Sequence, residues 1–577
     1  MKDKLKQHLK KFGPYWVILA LSVLHLLLNW NRYFTLYDWA DVDDTMQYNL
    51  SRSLSEGEWL GPYTRATLIK GIVFPLWTAG LHILNIPLWL GTSIAIILAS
   101  LAVIYALRRL IENKWILTAI YGLLILNPML TERVYRDYLL PAIALLLCAW
   151  AIGLFMTLLN ARKNREVAIR DSIIFTVMGT IALPAWYHIR EDSYWILPIV
   201  GGLFIAALIS YLISVRWKIL SHIKPLVGML IIMIIPFSAV SIVGIGISSL
   251  NEKYYGRYTV NDYFSSDFAD AYSALTRVNN SIDKELTVPV STEMREKLYK
   301  SSPAFNELKP CLDAENGMGM CEGFKKNGLN ATGINDYQGG WFPFALRLAV
   351  DQQGYYSSAS KAENYYKKLA KQVNTACDKG ELSCHEAHIV SLLPAPDIKI
   401  IGELLTNQSS SIWSMIFYLQ SLNKDNDAPQ NPSGPLNEMA GYYGVRYIRP
   451  SEYGFTGTLR NGISDFIWTS YKLINPLLMY TAIIVTLVAT YLYFKREYRI
   501  DWKILVIAWL LMITIGVRLA MLAYVYTVHF PSTTNIYFAP IYVLLFLFEG
   551  ISIYTFISLL KLKTKKKRKT ITKRKDA

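Results

Sequence analysis

Apolar runs long enough to cross a bilayer recur along this 577-residue chain, and they limit its fold more than any other feature. A hydrocarbon core of ~30 Å takes about 20 apolar residues in helical form, because lipid offers the backbone no hydrogen-bond partner. Runs centred near Leu24, Ile97, Leu123, Leu145, Thr176, Phe204, Ile232, Ile483, Leu510 and Leu544 meet that description. They predict an all-α polytopic membrane protein with about ten transmembrane helices. The composition agrees, with 53% hydrophobic residues. In a soluble protein a net charge of +16 would point to nucleic acid. Here the basic residues gather in short loops and in the tail KLKTKKKRKTITKRKDA, where they serve as topology signals and contacts for anionic lipid. No nucleic-acid partner is expected. The N-terminus MKDKLKQHLKKF resembles a signal-peptide start, but the run after it lacks a small-residue cleavage site and reads as a retained signal anchor.

The apolar stretch from Ile72 to Ile86 decides the topology. If it crossed, RRLIENK (108–114) would fall outside and every later basic loop would invert. If it stays at the interface, that loop joins RKNREVAIR (162–170), RWKILSHIK (216–224), KREYRIDWK (495–503) and the tail on the cytoplasmic side. Pro75 and Pro87 favour a non-crossing segment. Residues 36–70, 131–137, 188–195 and 529–535 then face outward. The chain divides into a transmembrane module (1–249), an extracytoplasmic, mainly helical domain (250–466) before the last three spans, a second transmembrane module (467–561) and a basic cytoplasmic tail (562–577).

The inserted domain holds Cys311, Cys321, Cys377 and Cys384, while Cys148 lies in an apolar run. Two close pairs on an oxidising side predict local disulfides, Cys311 with Cys321 and Cys377 with Cys384. Metal binding is the weaker reading, since neither pair has CxxC spacing and only His385 and His388 lie near. Ser360 and Glu363 have capping-box spacing before a helix that runs to a DKG stop, and the Asn- and Pro-rich stretch 423–435 predicts a loop.

Charge concentrates in the outward loops. Asp43 and Asp44 open a short amphipathic helix whose Met46, Leu50 and Leu54 would face lipid or the bundle. Asp44 has the position of an N-cap, with Gln47 spaced to reach back, which leaves Asp43 without a structural task. Lys70 lies on the side where positive charge is not favoured, so an anionic partner accounts for it. Glu132, Arg133, Arg136 and Asp137 crowd one short loop, and His188, Arg190, Glu191 and Asp192 another; His529 opens the last. Solvated surface pairs are the bland reading of such loops. Arg518 lies within an apolar run, where an arginine costs roughly 2.5–3.5 kcal/mol on translocon scales unless it faces the bundle or an anion.

A basic N-terminus, a first span, VDD with a Tyr-containing helix, GEWLGPY, a Lys before a Pro-interrupted apolar segment and a span ending YALRRL follow one another. This order resembles the N-terminal third of the GT-C glycosyltransferases, in particular the branch of lipid A aminoarabinose transferases and protein O-mannosyltransferases. The resemblance covers about the first 150 residues. It implies a GT-C-like fold, a catalytic Asp at Asp43 with Asp44 beside it, a phosphate-contacting Lys at Lys70 and a second-loop acidic residue at Asp137. The chain departs from the pattern where Gly71-Ile72-Val73-Phe74-Pro75 replaces a double proline after the lysine, and where the large domain precedes the last three spans.

A multi-pass protein of the bacterial inner or plasma membrane follows from the resemblance, with its active site on the extracytoplasmic side. It would transfer a sugar from a polyprenyl-phosphate donor to a glycan, lipid or protein acceptor, with inversion. The chain has no glycine-rich phosphate loop for a nucleotide donor. A phosphate leaving group needs no general acid, so one carboxylate suffices as base, with Lys70, Arg518, Arg133 and Arg136 as candidates to bind the phosphate. A divalent cation bridging Asp44 and the phosphate is compatible with this chemistry but not required. A flippase for lipid-linked glycans and a non-catalytic envelope assembly protein are the alternatives. Cysteines introduced into loops 108–114 and 162–170 are expected to label from the same, cytoplasmic side. Outward labelling of the first with inward labelling of the second would overturn the ten-span topology.

Overall fold

The computed structural model describes residues 2–575 except 31, 129–131, 161–163, 217–222, 264–265, 280–286, 386–397, 407–411, 423–430, 449–453, 497, 499 and 531. Among the described residues helices dominate, and the only β-pairings are isolated bridges such as Thr35 with Arg133. Among the described residues nine helices are long and apolar enough to cross a membrane, which makes this a multi-pass membrane protein. They are α1 (Lys2–Asn29), α4 (Leu88–Leu107), α6 (Leu140–Asn160), α7 (Arg165–Ile189), α8 (Leu197–Ser214) and α9 (Ile223–Tyr255), then Phe455–Phe494, Trp502–Val528 and Asn535–Lys575. Between them lie α2 (Asp44–Ser55) and two short apolar helices, α3 (Val73–Ile83) and α5 (Lys114–Ile125).

At 1.5 Å per residue α3 and α5 reach only ~16–18 Å. The run centred near Leu123 gives only the short helix α5, so among the described residues nine helices rather than ten reach membrane length. Its helix stops before Asn127-Pro128, where proline disfavours helical geometry in the residue ahead of it. The freed carbonyls find partners elsewhere. Tyr471 donates its hydroxyl to Leu123 O at 2.9 Å, and His25 Nδ1 lies 2.8 Å from Ile125 O.

The basic loops supply helix caps. Asn113, Asn164 and Asp501 accept from the backbone N–H of Trp115, Val167 and Lys503, starting α5, α7 and the penultimate helix. Apolar all round, α6 runs through the centre, with 83% of its membrane-length window buried against 17% for α9 on the periphery. Trp150 of α6 is sealed against Gly179 of α7, where a Cβ would collide with its ring.

Both helices that flank the inserted segment outrun the bilayer. With 33 and 40 residues, α9 and Phe455–Phe494 extend ~50 and ~60 Å, so each projects beyond a ~30 Å core and carries one end of the inserted segment. That segment splits between two cores. Residues from Tyr263 to Leu382 form a second apolar core together with Val42, Met46, Leu50, Leu60, Leu68, Ile69 and Ile72 of the first long loop. Met46 and Leu50 thus face the inserted domain rather than lipid. Residues from Met415 to Tyr447 instead join the core of the membrane helices.

Within the domain, Ser358 rather than Ser360 caps the helix Ala359–Asp378 by accepting from Lys361 N. The helix ends before Gly380, whose φ of +74° no β-carbon favours. The 423–435 loop lies for the most part outside the described residues; Ser433, within it, caps the helix Gly434–Tyr443. Disulfides join Cys311 with Cys321 and Cys377 with Cys384, at Cα separations of 5.2 and 5.6 Å, and Cys148 is free and buried. Each closes a short loop, worth ~2–3 kcal/mol. Replacing either pair by serine is expected to lower the melting temperature in detergent, and non-reducing peptide maps should show these two pairings. Crossed pairs would contradict the assignment.

Candidate functional site

The first long loop reaches the site through two backbone anchors. Thr35 N donates to Glu132 O at 2.9 Å and Val134 N to Thr35 O at 3.1 Å, bringing the loop after α1 alongside the loop before α6. Asp43 then precedes α2, and its carboxylate accepts from Lys70 Nζ and, at 2.8 Å, from the Tyr135 hydroxyl. Lys70 Nζ also donates to that hydroxyl at 2.9 Å, so the lysine, tyrosine and aspartate close a triangle.

Asp44 is not a cap. It is the first helical residue and fully buried, and it accepts from Arg133 Nε at 2.8 Å, Arg133 Nη2 at 2.6 Å and Tyr37 N at 3.0 Å. The two-donor grip of a guanidinium outweighs a single capping bond. Gln47, the expected partner in a capping box, has both amide atoms buried with no hydrogen-bond partner.

Below this pair a second tier of charge continues into the bundle. Arg136 donates to Glu191 at 2.8 Å, and Glu191 accepts from Gly71 N at 3.2 Å. Gly71 is required there, because a Cβ would collide with the His188 carbonyl. Arg190 bonds Asp137 and, at 2.8 Å, Asp192. Arg518, 1% exposed, closes the chain by donating to Asp192 at 2.5 Å, with its guanidinium 5.2 Å from the Trp195 ring centre. The carboxylates Asp43, Asp44, Asp137, Glu191 and Asp192 are thus matched by Lys70, Arg133, Arg136, Arg190 and Arg518.

Tyr135 is the hub that sequence reasoning passed over. Lys70, Arg133 and Arg136 lie 5.3, 4.9 and 5.4 Å from its ring centre. Its signal was its place between the two arginines of TERVYRD. Tyr537 plays the same part for Arg190 at 5.2 Å, and Phe344 of the inserted domain covers Lys70 at 5.8 Å. Nothing in the spacing of these two pointed to the site.

The field is uneven. Burial, and after it the charge of Arg136, holds the Lys70 amine well below the usual lysine range, while Glu191 works the other way. Burial opposes ionisation of Asp192, yet Arg190 and Arg518 hold its carboxyl below the usual range. Burial pushes the Tyr135 hydroxyl up to about 12.

Two of the sequence candidates stand apart. His188 Nε2 lies 3.2 Å from Val240 O on α9. His529 follows the penultimate helix and sits against Gly339, where a Cβ would collide with its ring; Gly340 N donates to its carbonyl at 3.2 Å. Among the described residues no cluster of His, Cys, Asp and Glu could hold a metal ion. His388 lies outside them. Compared with models of known families, with curated proteins and with solved structures, the chain matches none.

Burial pushes the His529 imidazole down to about 4. An unfolded histidine protonates near ~6.5, so between these values the unfolded chain binds the extra proton. Stability should therefore fall as pH drops from about 6.5 towards about 4. His529→Gln is expected to flatten that part of the pH–melting curve, and an unchanged curve would contradict the assignment.

Proposed function

We propose that this protein is a membrane glycosyltransferase that moves a sugar from a polyprenyl-phosphate donor to a hydroxyl of an envelope glycan, lipid or protein, on the extracytoplasmic side and with inversion. The observation that carries the reading is Asp43. Its side chain is 33% exposed, against 0% for Asp44 and Asp137, 21% for Glu191 and 23% for Asp192. It is the most accessible carboxylate of the network and bonds a lysine and a tyrosine rather than a two-pronged guanidinium.

Asp43 is masked by Lys70, and this supports an ordered mechanism. The donor's phosphate competes with Asp43 for the ammonium, since both are anions seeking a charge-assisted bond. When Lys70 turns to the phosphate, Asp43 loses its nearest cation, keeping only Arg133 Nη2 at 3.5 Å, and becomes the stronger base once donor is in place. Asp43 then takes the proton of the acceptor hydroxyl as that oxygen bonds to the anomeric carbon. The bond from anomeric carbon to phosphate oxygen breaks, and its electron pair leaves with the polyprenyl phosphate. Lys70 and Arg133 stabilise the charge that develops there. Arg136, Arg190 and Arg518 act one layer deeper, through the carboxylates they hold. A flippase would call for charges along several spans, whereas these gather at one end of the bundle, with Arg518 the only network member inside a membrane-length helix.

Asp43→Asn is expected to abolish transfer and leave membrane insertion and melting temperature near wild type. Lys70→Gln should raise the KM for donor and lower kcat, with the KM for acceptor little changed. Asp44→Asn strips Arg133 of its buried partner and should destabilise by roughly 3–5 kcal/mol. Lipid-linked sugar should accumulate in a deletion strain and in the Asp43→Asn strain alike. Wild-type transfer by Asp43→Asn would overturn the reading.

A further inference from the structure

Glu549 takes no part in the charged network. It lies midway along the membrane-length stretch Asn535–Leu562 of the last helix, with roughly 20 Å of helix on either side. It is 1% exposed, and both carboxyl oxygens are buried with no hydrogen-bond partner; the Ser552 hydroxyl, one turn on, is in the same condition. A glutamate side chain is far too short to reach either surface from this depth.

The helices packed around it bring no cation to it among the described residues. From Phe455–Phe494, Tyr471 spends its hydroxyl on the α5 carbonyls, and Lys472 lies over the Trp468 ring. On the penultimate helix Arg518 is held by Asp192 and Lys503 by Asp501. Arg136 and Asp137 are engaged with Glu191 and Arg190. α6 contributes no ionisable group but Cys148, and Lys114 of α5 bonds the Tyr15 hydroxyl. Ile120 of α5 packs directly on Gly550, beside the carboxyl. The carbonyls at the C-terminal end of α5, near Tyr471, add negative rather than positive potential. An ionised carboxylate in this seam has nothing to offset its lost hydration.

We propose that Glu549 is a proton-binding site inside the membrane bundle, a carboxylic acid held neutral in the seam between α5, the helix Phe455–Phe494 and the last helix. Such an acid is also a selective target for apolar carbodiimides. Its proton passes to a carbodiimide nitrogen while its oxygen bonds to the central carbon, and the acyl group then shifts to nitrogen, so that the reagent is added whole with no leaving group.

The test uses the full chain in liposomes. The infrared difference between wild type and Glu549→Gln at neutral pH should contain a protonated-carboxyl C=O band that is lost from wild type only on strong alkalinisation. Dicyclohexylcarbodiimide should modify Glu549 on peptide maps, and modification should fall as pH rises. The glutamine variant, whose amide never ionises, should match wild type in melting temperature at acid pH and exceed it by a margin that grows with pH. Carboxylate bands in place of the C=O band at neutral pH, or a stability difference that does not change with pH, would overturn the proposal.

Discussion

Everything at the loop end of this bundle depends on burying charge in matched pairs. A carboxylate or guanidinium removed from water loses several kcal/mol of hydration, regained only when an opposite charge meets it in good geometry. The first long loop supplies Asp43, Asp44 and Lys70, the loop before α6 supplies Arg133, Arg136 and Asp137, and the loop after α7 supplies Arg190, Glu191 and Asp192. Arg518 comes from the penultimate helix. No segment can leave without stranding a charge on another. The network therefore fixes the relative positions of elements far apart in sequence, a task that apolar packing, which tolerates sliding, performs less specifically.

The inserted domain completes that arrangement from above. Asp262 N donates to Leu68 O at 2.8 Å, Asn261 Nδ2 to Ile69 O at 3.1 Å and Arg347 Nε to Arg65 O at 2.7 Å, so the segment just ahead of Lys70 is held by backbone contacts. Trp59 Nε1 donates to Asn251 Oδ1 at 2.8 Å, near the end of α9. Lys70 is thereby delivered to Asp43 by a loop gripped on both faces, the bundle below and the domain above. Such support would let Lys70 exchange partners, as the proposed mechanism requires, without the loop unfolding.

Much of this was legible in the sequence, and the limits have physical causes. Membrane-length runs were readable because hydropathy over some 20 residues is a property of composition alone. The run near Leu123 yields a helix shorter than its hydropathy implies, because hydropathy does not register where a helix stops, and Pro128 ends this one. The charged loops could be singled out because polar residues between apolar runs stand out. Their pairing could not, since Asp44 with Arg133 and Asp192 with Arg518 are long-range contacts that no local spacing encodes. Asp44 had the position of a cap, and tertiary pairing overrode that local preference. The two disulfides were readable because each closes a short loop.

The two ends of the bundle use charge in opposite ways. At the end where the basic loops lie, Asp171 of α7 is fully buried and gathers Arg108 at 2.5 Å, Arg109 at 2.7 Å and Arg170 at 3.1 Å. One carboxylate among three guanidiniums leaves a positive surplus, as suits a surface facing anionic headgroups. At the Asp43 end the charges balance one for one, and the surplus is local, around Lys70, where Arg136, Arg133 and Arg190 press on its ammonium. An anion brought to Lys70 relieves that pressure, whereas a neutral ligand does not. In the proposed mechanism this asymmetry ties the preference for an anionic headgroup to the residue that also masks the most accessible carboxylate of the site, so that binding the anion and exposing the base would be one event.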